Sequence, residues 1–166
     1  MILLTGATGY IGSHTWIEMI NAGYDVLGVD NLSNSNIKVI ERIKAITNQK
    51  PKFIQADVCD KVAMSEIFGA YSIDVVVHFA ALKAVGESVQ KPIEYYRNNL
   101  GGLLSLSEVM HDHSCSKFVF SSSATVYHPS NPIPYREGMP LGSTSPYGWS
   151  KYLSPQSCMV KVTLTP

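Results

Sequence analysis

The stretch Thr5-Gly6-Ala7-Thr8-Gly9-Tyr10-Ile11-Gly12 decides the fold, because three evenly spaced glycines follow a short apolar run, Ile2–Leu4. Glycines at this spacing allow a tight turn, close approach of the backbone to a pyrophosphate, and close packing of a helix on a strand. The helix predicted to follow, over residues 10–22 with Gly23 as its stop, would present free N–H groups and a positive dipole end to phosphates. The stretch therefore predicts a dinucleotide site.

Apolar runs alternate with helical patterns along the rest of the chain. Strands are predicted at 2–4, 25–30, 52–56, 73–80 and 118–120, and helices at 37–46, 61–68 and 92–111. The strand runs are continuously apolar, as expected when helices cover both faces of a sheet. This pattern predicts an α/β fold with a doubly wound parallel sheet, a Rossmann-type NAD-binding domain over residues 1–152. The proline-rich residues 128–146 are predicted to form a loop, and 153–166 a divergent tail without a domain of its own.

Composition excludes several classes of protein. The 166 residues carry no net charge, which argues against a nucleic-acid partner. No apolar run approaches the roughly 20 residues of a membrane span, and the first residues do not form a signal peptide. The cysteines are odd in number and lack CxxC spacing, so the sequence predicts neither a disulfide framework nor a cysteine metal site, and favours the cytoplasm. The group His111-Asp112-His113 lies at a helix end, and no metal site is predicted there.

Asp30 ends the second predicted strand, close to the spacing of about 20 residues after the glycine turn at which an acid binds a ribose. A carboxylate there also repels a 2′-phosphate, so NAD is favoured over NADP. Lys38 and Arg42 lie on the polar side of the next helix and are interpreted as solvated charges. His14 is interpreted as a packing or hydrogen-bonding residue.

Tyr147 and Lys151 are spaced i, i+4, so a helix places them on one face. Ser145 and Pro146 suit the N-cap and first position of that helix. A tyrosine is a weak base at neutral pH, but a neighbouring ammonium together with a nicotinamide cation stabilises the phenolate. Ser123, at the end of the fifth strand, can hydrogen-bond to the same substrate oxygen. These three residues are the predicted catalytic group.

With these residues in place, the chain resembles the UDP-glucose 4-epimerases, a family of extended short-chain dehydrogenases/reductases. The resemblance extends over nearly all of residues 1–152. It is carried by the segments Gly9–Thr15, Asp30–Leu32, His78–Val89, Tyr95–Asn99, Ser121–Tyr127 and Ser145–Gly148.

The resemblance implies an isomerase with permanently bound NAD that interconverts UDP-galactose and UDP-glucose. Tyr147 would take the proton from the sugar 4-hydroxyl as hydride passes from C4 to the nicotinamide, and the hydride would return to the other face of the turned 4-keto sugar. Lys151 would hold the nicotinamide ribose, and Ser123 would bridge the 4-oxygen and Tyr147. The residues implied to bind the cofactor are Gly6, Gly9, Tyr10, Ile11, Gly12, Asp30, Asn31, Leu32, Ser33, Asn34, Ser35, Asp57, Val58, Phe79, Ala80, Ala81, Leu82, Lys83, Asn98, Ser123, Tyr147 and Lys151.

Alternatives remain open at this stage. Related sugar-nucleotide dehydratases carry acidic residues after a threonine beside the Ser123 position, and Ser123-Ala124-Thr125 has none. A dehydrogenase of another small substrate would release NADH, and a non-catalytic NAD-binding module or inactive fragment would bind NAD without turnover. The choice between a glucose and an N-acetylglucosamine substrate stays open. The oligomeric state is equally open, and the resemblance implies a homodimer through the long helices as one alternative.

The chain departs from the family pattern in three places. His128 stands where the family usually has glycine, and Pro155 is predicted to end or kink the last helix because its ring removes the hydrogen bond to the Lys151 carbonyl. The resemblance implies that family members continue for about as many residues again beyond Pro166. If residues 1–166 are the whole product, weak or absent turnover is expected, because half of the substrate cleft would be missing. Residues 160–164 alternate like a strand.

Overall fold

The computed structural model describes residues 1–157. Its strands are β1 (Ile2–Thr5), β2 (Val26–Asp30), β3 (Lys52–Gln55), β4 (Val75–His78) and β5 (Lys117–Phe120). Its helices are α1 (Tyr10–Asn21), α2 (Lys38–Thr47), α3 (Lys61–Ala70), α4 (Val85–Gln90), α5 (Pro92–Asp112) and α6 (Pro146–Ser157), with a short 3₁₀ turn at Ala124–Val126. The five strands are all parallel and lie in the order β3-β2-β1-β4-β5. The predicted doubly wound sheet is confirmed.

Apolar side chains fill a layer on each face of the sheet. One layer contains Leu4, Trp16 and Val77, and the other contains Leu3, Val76 and Leu106. Successive residues of β1 and β4 alternate between these layers because side chains of a strand point to opposite faces. Both faces are therefore buried, which explains why the strands are continuously apolar in sequence.

Gly28 allows the closest contact between the sheet and a helix. A Cβ atom at this position would lie 2.3 Å from Cη2 of Trp16, whose side chain is fully buried. The absence of a side chain in the middle of β2 thus makes room for the largest residue of α1. This packing fixes α1, and with it the glycine turn, against the sheet.

The last residues of three neighbouring strands lie side by side in register. Thr5 of β1 is paired with His78 of β4, which is paired with Phe120 of β5. The row lies on the face that also carries Leu3, Val76 and Phe118, two residues earlier in each strand. It ends the sheet at its carboxyl edge, where the loops that follow the strands begin.

The structure differs from the sequence predictions in two helices. Helix α6 does not end at Pro155 but continues to Ser157, since the fixed φ of proline is itself helical; the kink that the sequence offers as the alternative stays a prediction. The predicted helix 37–46 is observed as Lys38–Thr47; in it Ile43 is buried whereas Ile46 is largely exposed, because residues three apart are rotated relative to one another on a helix of 3.6 residues per turn.

Other elements were not predicted or lie outside the description. The sequence did not predict α4, which is six residues long and contains Gly86, or the 3₁₀ turn. The predicted strand at 160–164 and Cys158 lie outside the described residues. Within residues 1–157, no helix is long and apolar enough to cross a membrane, and no cluster of metal-ligating side chains occurs.

Candidate active site

A cleft of about 480 Å³ follows the carboxyl edge of the sheet. It lies where chain connections from β1 and β4 lead to opposite sides, the position at which open α/β sheets bind ligands. Its walls come from the glycine turn and from the loops after β2, β3, β4 and β5, together with α6. The lining residues are Gly6, Gly9, Tyr10, Ile11, Gly12, Val29, Asp30, Asn31, Ser33, Asn34, Ala56, Asp57, Val58, Phe79, Ala80, Ala81, Leu82, Lys83, Asn98, Ser121, Ser122, Ser123, Tyr147 and Lys151.

All the predicted site residues line this cleft except Leu32 and Ser35. Both instead hold Asp30: the Leu32 N–H donates to its Oδ1 at 2.8 Å, and the Ser35 hydroxyl donates to the same atom at 3.1 Å. Leu32 reaches this position with a left-handed backbone, φ 61°. Both residues therefore support Asp30, and their predicted contacts with the cofactor stay predictions.

Four lining residues were missed by the sequence analysis: Val29, Ala56, Ser121 and Ser122. Each lies within two residues of the carboxyl end of a strand. Ligands of open parallel sheets bind at the carboxyl ends of the strands, and this rule could have predicted these residues from the sequence.

Two glycines of the turn leave no room for a Cβ atom, so no other residue fits at these positions. Gly6 has φ +67°, and a Cβ there would lie 2.6 Å from the Ala80 nitrogen; a Cβ on Gly12 would lie 2.1 Å from the Gly6 oxygen. Gly9 is the N-cap of α1 and contributes no side-chain cap. The first N–H groups of α1, which have no partner within their helix, are thus left for a ligand in the cleft.

Most hydrogen-bond acceptor positions of the Asp30 carboxylate are filled by donors from the protein. It is 8% exposed, and its Oδ2 accepts the Thr8 N–H at 3.1 Å while Oδ1 accepts the two donors from Leu32 and Ser35. An ionised carboxylate has about four lone-pair positions. One position at Oδ2 therefore remains for a donor in the cleft, such as a ribose hydroxyl.

The carboxylate of Asp57 is also held by hydrogen bonds, one of which comes from the Asn31 side chain. Its Oδ2 accepts the Asn31 amide at 3.0 Å, and its Oδ1 accepts the Cys59 N–H at 2.8 Å. Burial works to raise the pKa of Asp57, but the hydrogen bonds from Cys59 and Asn31 outweigh it and lower that pKa. The group is an acceptor fixed in its charged form.

The loop after β4 is tied to two helices by Asn99, a buried residue of α5. The Asn99 Oδ1 accepts the Leu82 N–H at 2.9 Å, and its Nδ2 donates to the Leu82 oxygen and the Ser150 hydroxyl, each at 3.0 Å. This arrangement links the loop that carries the exposed Lys83 to α6. Sequence reasoning named the neighbouring Asn98 and missed the role of Asn99.

Helix α6 begins as its sequence predicts. The Ser145 Oγ accepts the Gly148 N–H at 3.1 Å, which is an N-cap, and Pro146 is the first helical residue. The helix places Tyr147 and Lys151 in the wall of the cleft. The two predicted proton-transfer residues are thereby brought to the same cleft as the glycine turn.

Lys151 is 4% exposed, and its ammonium donates to the Ser121 carbonyl at 2.9 Å. Burial lowers the pKa of Lys151 to about 8. Within residues 1–157 no carboxylate forms an ion pair with it. The remaining N–H donors are available to acceptors in the cleft.

Ser123 caps the 3₁₀ turn after β5. Its Oγ accepts the Thr125 N–H at 3.2 Å and lies 2.9 Å from the Thr125 Oγ1. When Thr125 donates, both acceptor positions of Ser123 are filled and its own hydrogen is free to donate into the cleft.

The fold and the cleft together define a Rossmann-type dinucleotide-binding domain that carries a tyrosine and a lysine one helical turn apart. Residues 2–160 match the model of the NAD dependent epimerase/dehydratase family. The chain belongs to this family.

Proteins with the name UDP-glucose 4-epimerase are similar to this chain. The chain is 48% identical over 155 residues to the UDP-glucose 4-epimerase of Bacillus subtilis and 51% identical over 156 residues to that of Haemophilus influenzae, covering 93% of this chain and 46% of each relative. Among solved structures, the UDP-glucose 4-epimerase from Bifidobacterium longum in complex with NAD⁺ and UDP superposes with a TM-score of 0.92 at 49% identity, covering 95% of this chain and 47% of that one. The chain therefore spans about half the length of these relatives.

Proposed function

We propose that this chain holds NAD in the cleft and serves the interconversion of UDP-galactose and UDP-glucose. The observation that carries the proposal is that one cleft joins the glycine turn and Asp30 to Ser123, Tyr147 and Lys151. Relatives that are about half identical in sequence bear the name UDP-glucose 4-epimerase, and the family model itself is named for NAD dependence.

The residues present fit NAD. A pyrophosphate suits the start of α1 beyond Gly9, where no side chain caps the helix and where Tyr10 and Ile11 line the cleft. A ribose hydroxyl suits the free acceptor position of Asp30, which also disfavours the 2′-phosphate of NADP. We assign the remaining contacts to Asn31, Ser33, Asn34, Asp57, Val58, Phe79, Ala80, Ala81, Leu82, Lys83 and Asn98.

Bound NAD would accept a hydride from the sugar C4 and return it. Within that chemistry, the phenol of Tyr147 holds and moves the proton at the 4-oxygen, because proton transfer by a positioned side chain speeds such steps by roughly 10²- to 10⁴-fold. The ammonium of Lys151 donates to the nicotinamide ribose and stabilises the Tyr147 phenolate. The Ser123 hydroxyl donates to the same 4-oxygen.

A Tyr147→Phe variant tests this assignment. We expect both wild type and variant to release NAD on denaturation. Conversion of UDP-galactose to UDP-glucose, which we expect to be weak in the wild type if residues 1–166 are the whole product, falls by roughly 10²-fold or more in the variant alone. Tyr24→Phe is the matched control, since Tyr24 is 59% exposed and does not line the cleft. The measurements are the absorbance of released nucleotide and a coupled assay for UDP-glucose.

Other outcomes identify the rival functions. Bound NAD without conversion in the wild type would indicate a non-catalytic NAD-binding module. Net accumulation of NADH would indicate a dehydrogenase, and absence of both NAD binding and conversion would overturn the proposal.

We also propose a cytoplasmic homodimer. Helices α5 and α6 expose the apolar side chains of Ile93, Leu104 and Trp149, and exposed apolar side chains on these helices suit a second copy of the chain. Sedimentation equilibrium that shows a monomer at every concentration would contradict the dimer. The free thiols of Cys59 and Cys115 suit a reducing compartment.

A further inference from the structure

The in-register row Thr5-His78-Phe120 forms a connected stack at the carboxyl edge of the sheet. The Thr5 Oγ1 lies 2.7 Å from the His78 Nδ1, and the imidazole is stacked on the Phe120 ring at a centroid distance of 6.0 Å with 21° between their planes. Thr5 is fully buried and His78 is 2% exposed. The Phe120 ring is therefore held from one side by a rigid, buried neighbour.

The same ring contacts the ammonium of Lys151. The Lys151 Nζ lies 4.7 Å from the Phe120 ring centroid, within the distance at which a cation is attracted to an aromatic face. The Ser121 carbonyl is its hydrogen-bond acceptor among residues 1–157. A buried ammonium that lacks a carboxylate depends on such weaker groups to offset its lost hydration.

The neighbouring titratable groups do not supply the missing negative charge. Burial, with the charge of Lys151, lowers the pKa of His78 to about 3, so the imidazole beside Phe120 is neutral at physiological pH. The cleft is also lined by Asp30 and Asp57, but among residues 1–157 neither carboxylate forms an ion pair with Lys151. Neutral His78 can stack on Phe120 without repelling the ammonium.

We propose that Phe120 is a positioning residue whose ring, together with the Ser121 carbonyl, holds the Lys151 ammonium at the cleft. The inference rests on the proposed function only for the role of Lys151, which is to bind the nicotinamide ribose and stabilise the Tyr147 phenolate. It adds a residue from β5 that acts through Lys151 and never touches the substrate.

The test compares Phe120→Leu with Phe118→Leu. Both variants remove a ring from the same face of β5, but among residues 1–157 the Lys151 ammonium lies over the Phe120 ring and not over the Phe118 ring. The pH dependence of amine labelling at Lys151, read by mass spectrometry on the folded chain without nucleotide, reports the proton affinity of the ammonium. We expect Phe120→Leu to move the labelling midpoint to lower pH by about 0.5 to 1 pH unit. The midpoint of Phe118→Leu should equal that of the wild type, and so should that of Phe120→Tyr, which keeps an aromatic ring.

A second readout concerns the nucleotide. NADH titrations followed by fluorescence should show affinity reduced by about two- to tenfold in Phe120→Leu and by less than twofold in Phe118→Leu. If Phe120→Leu fails to fold, a ring-fluorinated phenylalanine at position 120, which keeps the shape and weakens the negative face, should shift the midpoint in the same direction.

The result that overturns the inference is an equal labelling midpoint in wild type, Phe120→Leu and the fluorinated chain. Failure of the proposed function looks different: NADH does not bind the wild type, whereas the labelling curves still differ.

Discussion

At the scale of single residues, Lys151 is a charge placed where little water reaches it. Its pKa is lowered by burial to about 8, whereas an exposed lysine titrates near 10.4. Below pH 8 both the folded and the unfolded chain carry the charge, so the folded state bears the full cost of burying it. Between about pH 8 and 10.5 the unfolded chain keeps a proton that the folded chain has lost, and the cost disappears.

Replacing Lys151 with methionine should therefore stabilise the chain at pH 7. We expect the free energy of unfolding to rise by about 1–3 kcal/mol at pH 7, with the gain vanishing towards pH 10.5. Urea unfolding across this pH range measures it. Lys83→Met, at an exposed lysine of the same cleft, should change stability by less than about 0.5 kcal/mol; a pH-independent gain at Lys151 would contradict the argument.

His78 makes the free energy of unfolding depend on pH on the acidic side of neutrality. Because its folded pKa is about 3 and its unfolded value about 6.5, the unfolded chain alone binds a proton in this window. Stability is complete above pH 6.5 and should fall by about 1.4 kcal/mol for each pH unit below it. His78→Gln should flatten that slope, and His111→Gln, at an exposed position, should leave it intact. An equal slope in both variants would exclude His78 as its source.

At the scale of secondary-structure elements, the packing of α1 on β2 depends on a single missing side chain. Gly28→Ala would place a methyl group against the Trp16 ring, and we expect a loss of about 1–3 kcal/mol in unfolding free energy from overpacking. Gly101→Ala, in the interior of α5 with open space around it, should instead stabilise by about 0.5–1 kcal/mol. Chemical denaturation of both variants measures the difference; similar effects at the two sites would refute the packing argument.

Elements differed in how well their sequences predicted them. The strands β1, β2 and β4 were predictable because burial on both faces leaves continuous apolar runs. Helix α6 was predictable because Ser145 and Pro146 give a strong start signal. Helix α4 was not, since a six-residue helix around Gly86 has too few turns for periodicity. The supports of the cleft, Leu32 and Ser35, were predicted as lining residues because sequence position alone does not tell a residue that faces a ligand from one that holds its neighbour.

At the scale of the whole molecule, the cleft gathers side chains from almost every loop at one edge of the sheet. Ligand binding there should be coupled to global stability, because a ligand that binds only the folded state adds to the free energy of unfolding. We expect NAD at 100 times its dissociation constant to add about 2.7 kcal/mol. Thermal unfolding with increasing NAD measures this, and NADP should raise the unfolding temperature by less. An equal rise with NADP would contradict the argument that Asp30 disfavours a 2′-phosphate.

The position of β5 at the end of the sheet has a practical consequence for handling the purified chain. Within residues 1–157 no strand pairs with its outer edge, and Val119 on that strand is 46% exposed. Unpaired edges of this kind recruit other chains, and a sequence with no net charge offers little mutual repulsion at neutral pH. Precipitation at high concentration should therefore be worst near neutrality and should ease when the buffer is made moderately alkaline.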